Sequence, residues 1–212
     1  LPIDSRWRQA MVEQVISQTA PAPNGRPNIT RWAVSVADYH RMAEVGILGE
    51  DDRVELIDGE VRVMSPIGKP HAAIVNRYVA LLVPQVDKIA IVSPQNPFEL
   101  SAMSEPQPDV LLLRYRDDFY AKETPKPADI LLLIEVCDST LAYDRLEKLP
   151  RYALAGIPEV WLTDVNGEAI ERYTDPQGDQ YATKQTFKRG QTITVKALPN
   201  IVLSVDQIFG NS

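Results

Sequence analysis

A chain of 212 residues with 44% hydrophobic content can bury a full core and fits one domain with an N-terminal appendage. No apolar run approaches the ~20 residues that a helical bilayer crossing needs. With 22 basic against 29 acidic residues, a net charge of −7 and a pI near 4.9, the composition argues against holding nucleic acid by bulk positive charge, though a local basic strip stays open.

Leu1-Pro-Ile-Asp-Ser-Arg6 shows no basic stretch followed by an apolar block, and Cys137 is the single cysteine. We therefore expect a cytoplasmic, non-membrane protein without an internal disulfide. Residues 5–20 carry Trp7, Met11, Val12, Val15 and Ile16 at helical spacing, and Pro21-Ala-Pro-Asn-Gly-Arg-Pro27 reads as a linker. The expected organisation is a helix and linker over 1–27 and a single domain over 28–212.

Ser35-x-x-Asp38 is the pattern of a capping box, so a second helix starts there, with Val36, Tyr39, Met42 and Ala43 as its buried stripe and Gly46 as its end. Arg53–Ile57 and Glu60–Met64 flank Asp58-Gly59, which tolerates the positive φ angles of a tight hairpin turn. His71–Val83 reads as a helix with Ile74, Val75, Tyr78, Val79 and Leu82 inward, and Ile89–Val92 as a short strand.

Two strongly apolar runs follow. Asp109 opens Asp109-Val-Leu-Leu-Leu113, and Glu135 lies at the end of Ile130-Leu-Leu-Leu-Ile-Glu-Val136. Both runs have the length and composition of buried strands. A helix is expected from Leu141 to Ala155, capped by Ser139 or Thr140. Pro150 must kink or restart it, because proline lacks the N–H and clashes with the preceding turn. Val160–Asp164, Ala169–Tyr173, Tyr181–Phe187 and Thr192–Val195 are strands, with Asn166-Gly167 as a hairpin turn and a last turn over Val205–Phe209. The order gives an α/β (α+β) fold with a mixed β-sheet flanked by helices and additional C-terminal hairpins.

The acids carry the chemistry. A carboxylate at a buried strand is expensive unless a cation or hydrogen bonds compensate it. Two of them, Asp109 and Glu135, beside a helix bearing Asp144 and Lys148 four residues apart on one face, suggest a site for a hard metal ion. Phosphodiester hydrolysis needs an activated water, an offset for charge growing on phosphorus and a stabilised leaving oxygen, and a carboxylate-held Mg²⁺ serves all three.

The segments Val54-Glu-Leu-Ile-Asp-Gly-Glu60, Gln107-Pro-Asp-Val110, Ile134-Glu-Val-Cys-Asp-Ser-Thr140, Asp144-Arg-Leu-Glu-Lys148 and Tyr152–Trp161 occur in an order and spacing that resemble the PD-(D/E)XK nuclease superfamily. Within it, the chain is most similar to the bacterial restriction endonuclease domain family. The resemblance runs from about Ser35 to Phe209. It implies a restriction-endonuclease-like core, a Mg²⁺-dependent endonuclease activity (Mn²⁺ substituting) on DNA, and Asp109 and Glu135 as metal ligands. Glu55 matches the family's additional acid. The superfamily pattern places lysine two residues after the second acid, where this chain has Cys137; in this family the lysine is displaced to the next helix, which points to Lys148.

Plainer readings stand beside these. Asp109 and Glu135 also suit solvated strand ends, Lys148–Asp144 a surface ion pair, and Glu55 a water-facing hairpin position. His71, at a helix start, is a candidate for phosphate contact or proton transfer, or an ordinary first-turn histidine. Tyr152, Leu154 and Trp161 are taken as core. Arg114, Arg116, Lys122 and Lys126 read as a solvated loop rather than a backbone-binding strip. The rival functions are a non-catalytic nucleic-acid-binding or assembly module that keeps the fold, and a thiol hydrolase centred on Cys137. A homodimer is expected, since cutting two strands pairs two sites.

Overall fold

The alternation of apolar runs and turn residues resolves into six paired strands with helices on both faces. A computed structural model describes residues 32–49 and 51–210. The N-terminal helix, the linker and the domain boundary expected near residue 27 lie outside the described residues. No helix among those described is long and apolar enough to cross a membrane.

Helix α1 (Val36–Glu44) begins with the capping box expected from Ser35 and Asp38, and Gly46, at φ +76°, follows its end. Strands β1 (Val54–Ile57) and β2 (Glu60–Val63) form a separate two-stranded ribbon around Asp58-Gly59, whose φ angles of +50° and +77° suit the tight turn. Helix α2 (Lys69–Leu82) buries Ile74, Val75, Tyr78 and Leu82. The main sheet then gathers β3 (Ala90–Pro94), β4 (Val110–Arg114), β5 (Ile130–Cys137), β6 (Glu159–Asp164), β7 (Ala169–Gln177) and β8 (Gln180–Lys188), neighbouring each other in that order. All pairs are antiparallel except β5–β6, whose crossover is helix α3. A second small pair, β9 (Thr192–Val195) with β10 (Leu198–Ser204), and the short α4 (Val205–Phe209) complete the chain.

Helix α3 answers the problem set by Pro150. It runs α-helical through Leu141–Tyr143, widens to a π-helical turn over Asp144–Lys148, and returns to α over Leu149–Leu154. The N–H of Leu149 bonds the Asp144 carbonyl, five residues back, so the register is loosened just before the proline.

The two faces of the sheet carry separate clusters. Ile74, Tyr78, Leu112, Ile134 and Trp161 pack on the α2 side; Leu111, Leu133, Leu149, Tyr152 and Leu162 pack on the α3 side. A β-bulge decides where Glu135 falls. Leu112 pairs with Leu132 but Leu113 pairs with Ile130, so Leu131 is an extra residue on β5. Leu131 and Leu132 both join the α2-side cluster, and the alternation beyond them turns Leu133, Glu135 and Cys137 toward α3. Each buried leucine here contributes about 1.5–3 kcal/mol, which offsets the cost of sinking a carboxylate in the same strand.

Four local expectations need correction. Leu154 is 68% exposed, not core: it lies two residues from buried Tyr152, and positions two apart on a helix point to different sides. Thr140 precedes α3 but makes no side-chain cap; its hydroxyl serves Asp144 instead. The turn after β6 spans Val165–Glu168, wider than the Asn-Gly pair alone, because Asp164 accepts the N–H groups of Asn166 and Gly167. Strand β10 was not expected, since Pro199-Asn200 near its start breaks the strand pattern.

Candidate active site

Strand β5 is buried along its whole length, so a carboxylate on it must find partners within the protein. Glu135 finds two from α3. Lys148 Nζ stands 3.3 Å from Glu135 Oε1, and the Tyr152 hydroxyl donates to the same oxygen at 2.7 Å. Lys148 and Tyr152 are four residues apart, one turn of the same helix face. Lys148 also reaches the ribbon, with Nζ 3.0 Å from Glu55 Oε2. All three members of this Glu55–Lys148–Glu135 chain are about 5% exposed.

The ribbon that carries Glu55 is fastened around this pair. Leu56 exchanges backbone hydrogen bonds with Glu105, the turn residue Asp58 accepts from Arg151 Nε at 2.7 Å, and Arg62 donates to the Tyr143 hydroxyl at 2.8 Å. Arg151 and Tyr143 both lie on α3, so the ribbon and the helix form two walls of one cleft.

Asp109 stands at the entry to β4, beside Glu135 across the β4–β5 pairing. Its Oδ2 accepts the Val136 N–H at 2.8 Å, and Oδ1 is 3.0 Å from His71 Nε2 on α2. His71 Nδ1 is buried without a hydrogen-bond partner among the described residues. Asp144, also buried, accepts hydrogen bonds from Thr140 and Cys137. Glu55, His71, Asp109, Glu135, Asp144 and Lys148 all line one cleft of about 400 Å³, whose walls also include Arg53, Arg62 and Asp138. All six residues singled out in the sequence are thus brought together.

Electrostatics follow from burial. Desolvation raises the Glu135 pKa to about 8, opposed by Lys148 and reinforced by Asp144 and Asp109. Burial alone would lower the Lys148 pKa, but Glu135, Glu55 and Asp144 together hold it above its ordinary value. Lys148 is therefore a fixed cation and a hydrogen-bond donor, not a proton acceptor. Burial also raises Asp144, with Lys148 opposing. Cys137 is fully buried between strand and helix, and desolvation pushes its thiol up, away from the thiolate a nucleophile needs.

Asp109 and Glu135 offer hard oxygen donors, which suit Mg²⁺ or Mn²⁺ rather than a soft ion. Among the described residues no three Asp, Glu, His or Cys side chains are gathered around a metal position. A cation here would take its remaining ligands from water, as Mg²⁺ does when one or two carboxylates hold it. The donor set fits on those terms.

Tyr152 was taken as core from the sequence; it is core, and its hydroxyl also belongs to the site. Its spacing of four from Lys148 was the available signal. The His40–Glu105 pair, 2.9 Å apart behind the ribbon, carried no signal at all. Arg116 pairs with Asp118 within its own loop, as a solvated loop does.

The fold is similar to the crystal structure of a protein from Anabaena variabilis ATCC 29413 described as "a putative nuclease belonging to DUF820", with a TM-score of 0.62 and 16% identity, over 83% of this chain and 97% of that one. At that identity the likeness shows a shared fold. No curated protein matches the chain. Residues 36–206 match the model of the Uma2 family, described as "Putative restriction endonuclease". That span holds every strand of the fold and all six cleft residues, and by it this chain belongs to the Uma2 family.

Proposed function

We propose that this protein is a divalent-metal-dependent endonuclease that hydrolyses phosphodiester bonds in DNA, using Mg²⁺ with Mn²⁺ as a substitute. The observation that supports it is the convergence of Asp109, Glu135 and Lys148 from two strands and a helix into one cleft. Asp109 and Glu135 would hold the ion, which when bound would supply charge to offset the phosphate and to activate water. Lys148 donates toward the attacking water or a phosphate oxygen, and its positive charge opposes the negative charge gathering in the transition state. Glu55 anchors the ammonium from the ribbon side, His71 fixes the rotamer of Asp109, and Asp144, four residues before Lys148 on α3, holds Lys148 or supports the groups around the ion. Water attacks phosphorus as the bond to the opposite ester oxygen breaks, and the proton it loses passes through solvent to that departing oxygen, leaving a phosphomonoester and a hydroxyl.

The test is nicking of supercoiled plasmid in Mg²⁺ or Mn²⁺. Asp109→Ala and Glu135→Ala should abolish it while circular dichroism stays that of the wild type. Equal nicking by all three proteins overturns the mechanism. The working unit is proposed to be a homodimer, and sedimentation as a monomer at high concentration rejects that part.

One observation favours a second reading, a nucleic-acid-binding or assembly module without turnover. Lys148 is already engaged by two carboxylates, Glu55 at 3.0 Å and Glu135 at 3.3 Å. Calorimetric titration decides: no binding at millimolar Mn²⁺ selects this module.

A further inference from the structure

Tyr152 is fully buried beneath the cleft, beside Phe98 at a ring separation of 6.2 Å. A phenylalanine would fill this apolar position, and burying a hydroxyl there is unfavourable unless it is bonded. Its bond goes to Glu135 Oε1 at 2.7 Å, the oxygen that Lys148 approaches at 3.3 Å. Both donors converge on Oε1, and the hydrogen bonds and ion pair seen at Glu135 among the described residues all use that oxygen. Two donors on one oxygen fix both the rotamer and the plane of a carboxylate, and so the direction in which the other oxygen points.

We propose that Tyr152 is a positioning residue for metal capture: its hydroxyl pins Glu135 Oε1 so that Oε2 is presented to the cleft beside Asp109. The inference rests on the metal-dependent reading of the site. Groups that orient a metal ligand without touching the metal commonly change affinity by about 10- to 100-fold. Lys148 cannot do the work alone, because its ammonium is shared with Glu55 and carries no directional preference for one carboxylate plane. The tyrosine hydroxyl, held by a packed ring, supplies that direction.

Tyr78 provides the matched control. It is equally buried, and its hydroxyl meets Thr163 Oγ1 at 2.8 Å on the opposite face of the sheet. The experiment compares wild type, Tyr152→Phe and Tyr78→Phe by Mn²⁺ calorimetry, and by plasmid nicking across a range of Mn²⁺ concentrations. Tyr152→Phe should weaken Mn²⁺ binding about 10- to 100-fold, and nicking lost at low Mn²⁺ should return as the ion is raised. Tyr78→Phe should leave both unchanged. Wild-type Mn²⁺ affinity in Tyr152→Phe overturns the role of Tyr152 and leaves the nuclease reading standing. Absence of Mn²⁺ binding by the wild type removes both. If Tyr152→Phe does not fold, a fluorotyrosine placed at position 152 keeps the question answerable. Its fluorine resonance should shift on adding Mg²⁺ while one placed at position 78 does not, and an unmoved signal at 152 overturns the proposal.

Discussion

Lys148 and Glu55 meet at 3.0 Å across the boundary between α3 and the β1–β2 ribbon, each about 5% exposed. Neither could be buried alone. Their pairing joins the ribbon to the rest of the molecule with the same contact that places the ammonium in the cleft.

Removing the cation should therefore damage both folding and activity. Lys148→Met leaves Glu55 buried without its counter-charge and takes the lysine donor from Glu135, and breaking a buried pair from one side costs about 3–5 kcal/mol. Urea unfolding of Lys148→Met should show that loss, and adding Glu55→Gln should recover part of it. Plasmid nicking should be absent in both variants. A single variant as stable as wild type removes this account of the pair.

The pH dependence of stability has a defined sign. Burial raises the folded-state pKa of Glu135 from 4.5 to about 8. A group whose pKa is higher in the folded state contributes stability that is full below its unfolded value and is lost as pH rises through the folded value. The stability advantage of wild type over Glu135→Gln should accordingly shrink between pH ~4.5 and ~8. Denaturant unfolding of both proteins across that window checks it, and a flat or growing advantage contradicts it.

Cys137→Ser should leave nicking within about twofold of wild type and cost on the order of 1 kcal/mol of stability. The thiol is buried and its pKa is pushed up by desolvation, with Asp144 and Glu135 adding to the rise. Loss of turnover in a folded Cys137→Ser would bring back the thiol-hydrolase reading.

Gly59 occupies a backbone conformation that other residues resist, and a Cβ there would meet the Ala33 Cβ at 2.8 Å. Gly59→Ala should destabilise the protein by about 1–2 kcal/mol and loosen the ribbon that delivers Glu55. Thermal unfolding reads the first effect, and faster amide exchange in β1 and β2 reads the second.

Much of this cleft could be read from the chain because strong signals happened to coincide with the residues that line it. Asp109 and Glu135 interrupt leucine-rich runs at their ends, and Asp144 and Lys148 sit at helical spacing. Asp58-Gly59 fixed the ribbon, though not the burial of Glu55, which depends on contact with a helix some ninety residues away. The phase of Glu135 was hidden, since a bulge at Leu131 depends on pairing with β4 rather than on composition. Pro150 announced a break in α3 but not its form, a π-helical turn that keeps the helix continuous. The hydroxyl of Tyr152 was masked by its ring: an aromatic at a helical core position gives no sign of what its oxygen touches.

The lysine stands on a different element from the acid it serves, and that separation has an outcome for how the protein fails. A strand bearing Glu135 can persist while α3 loosens, yet the ammonium would then be gone. Partial melting of one short helix would silence the cleft long before the sheet unravels, so loss of turnover on heating should precede loss of the β signal in circular dichroism.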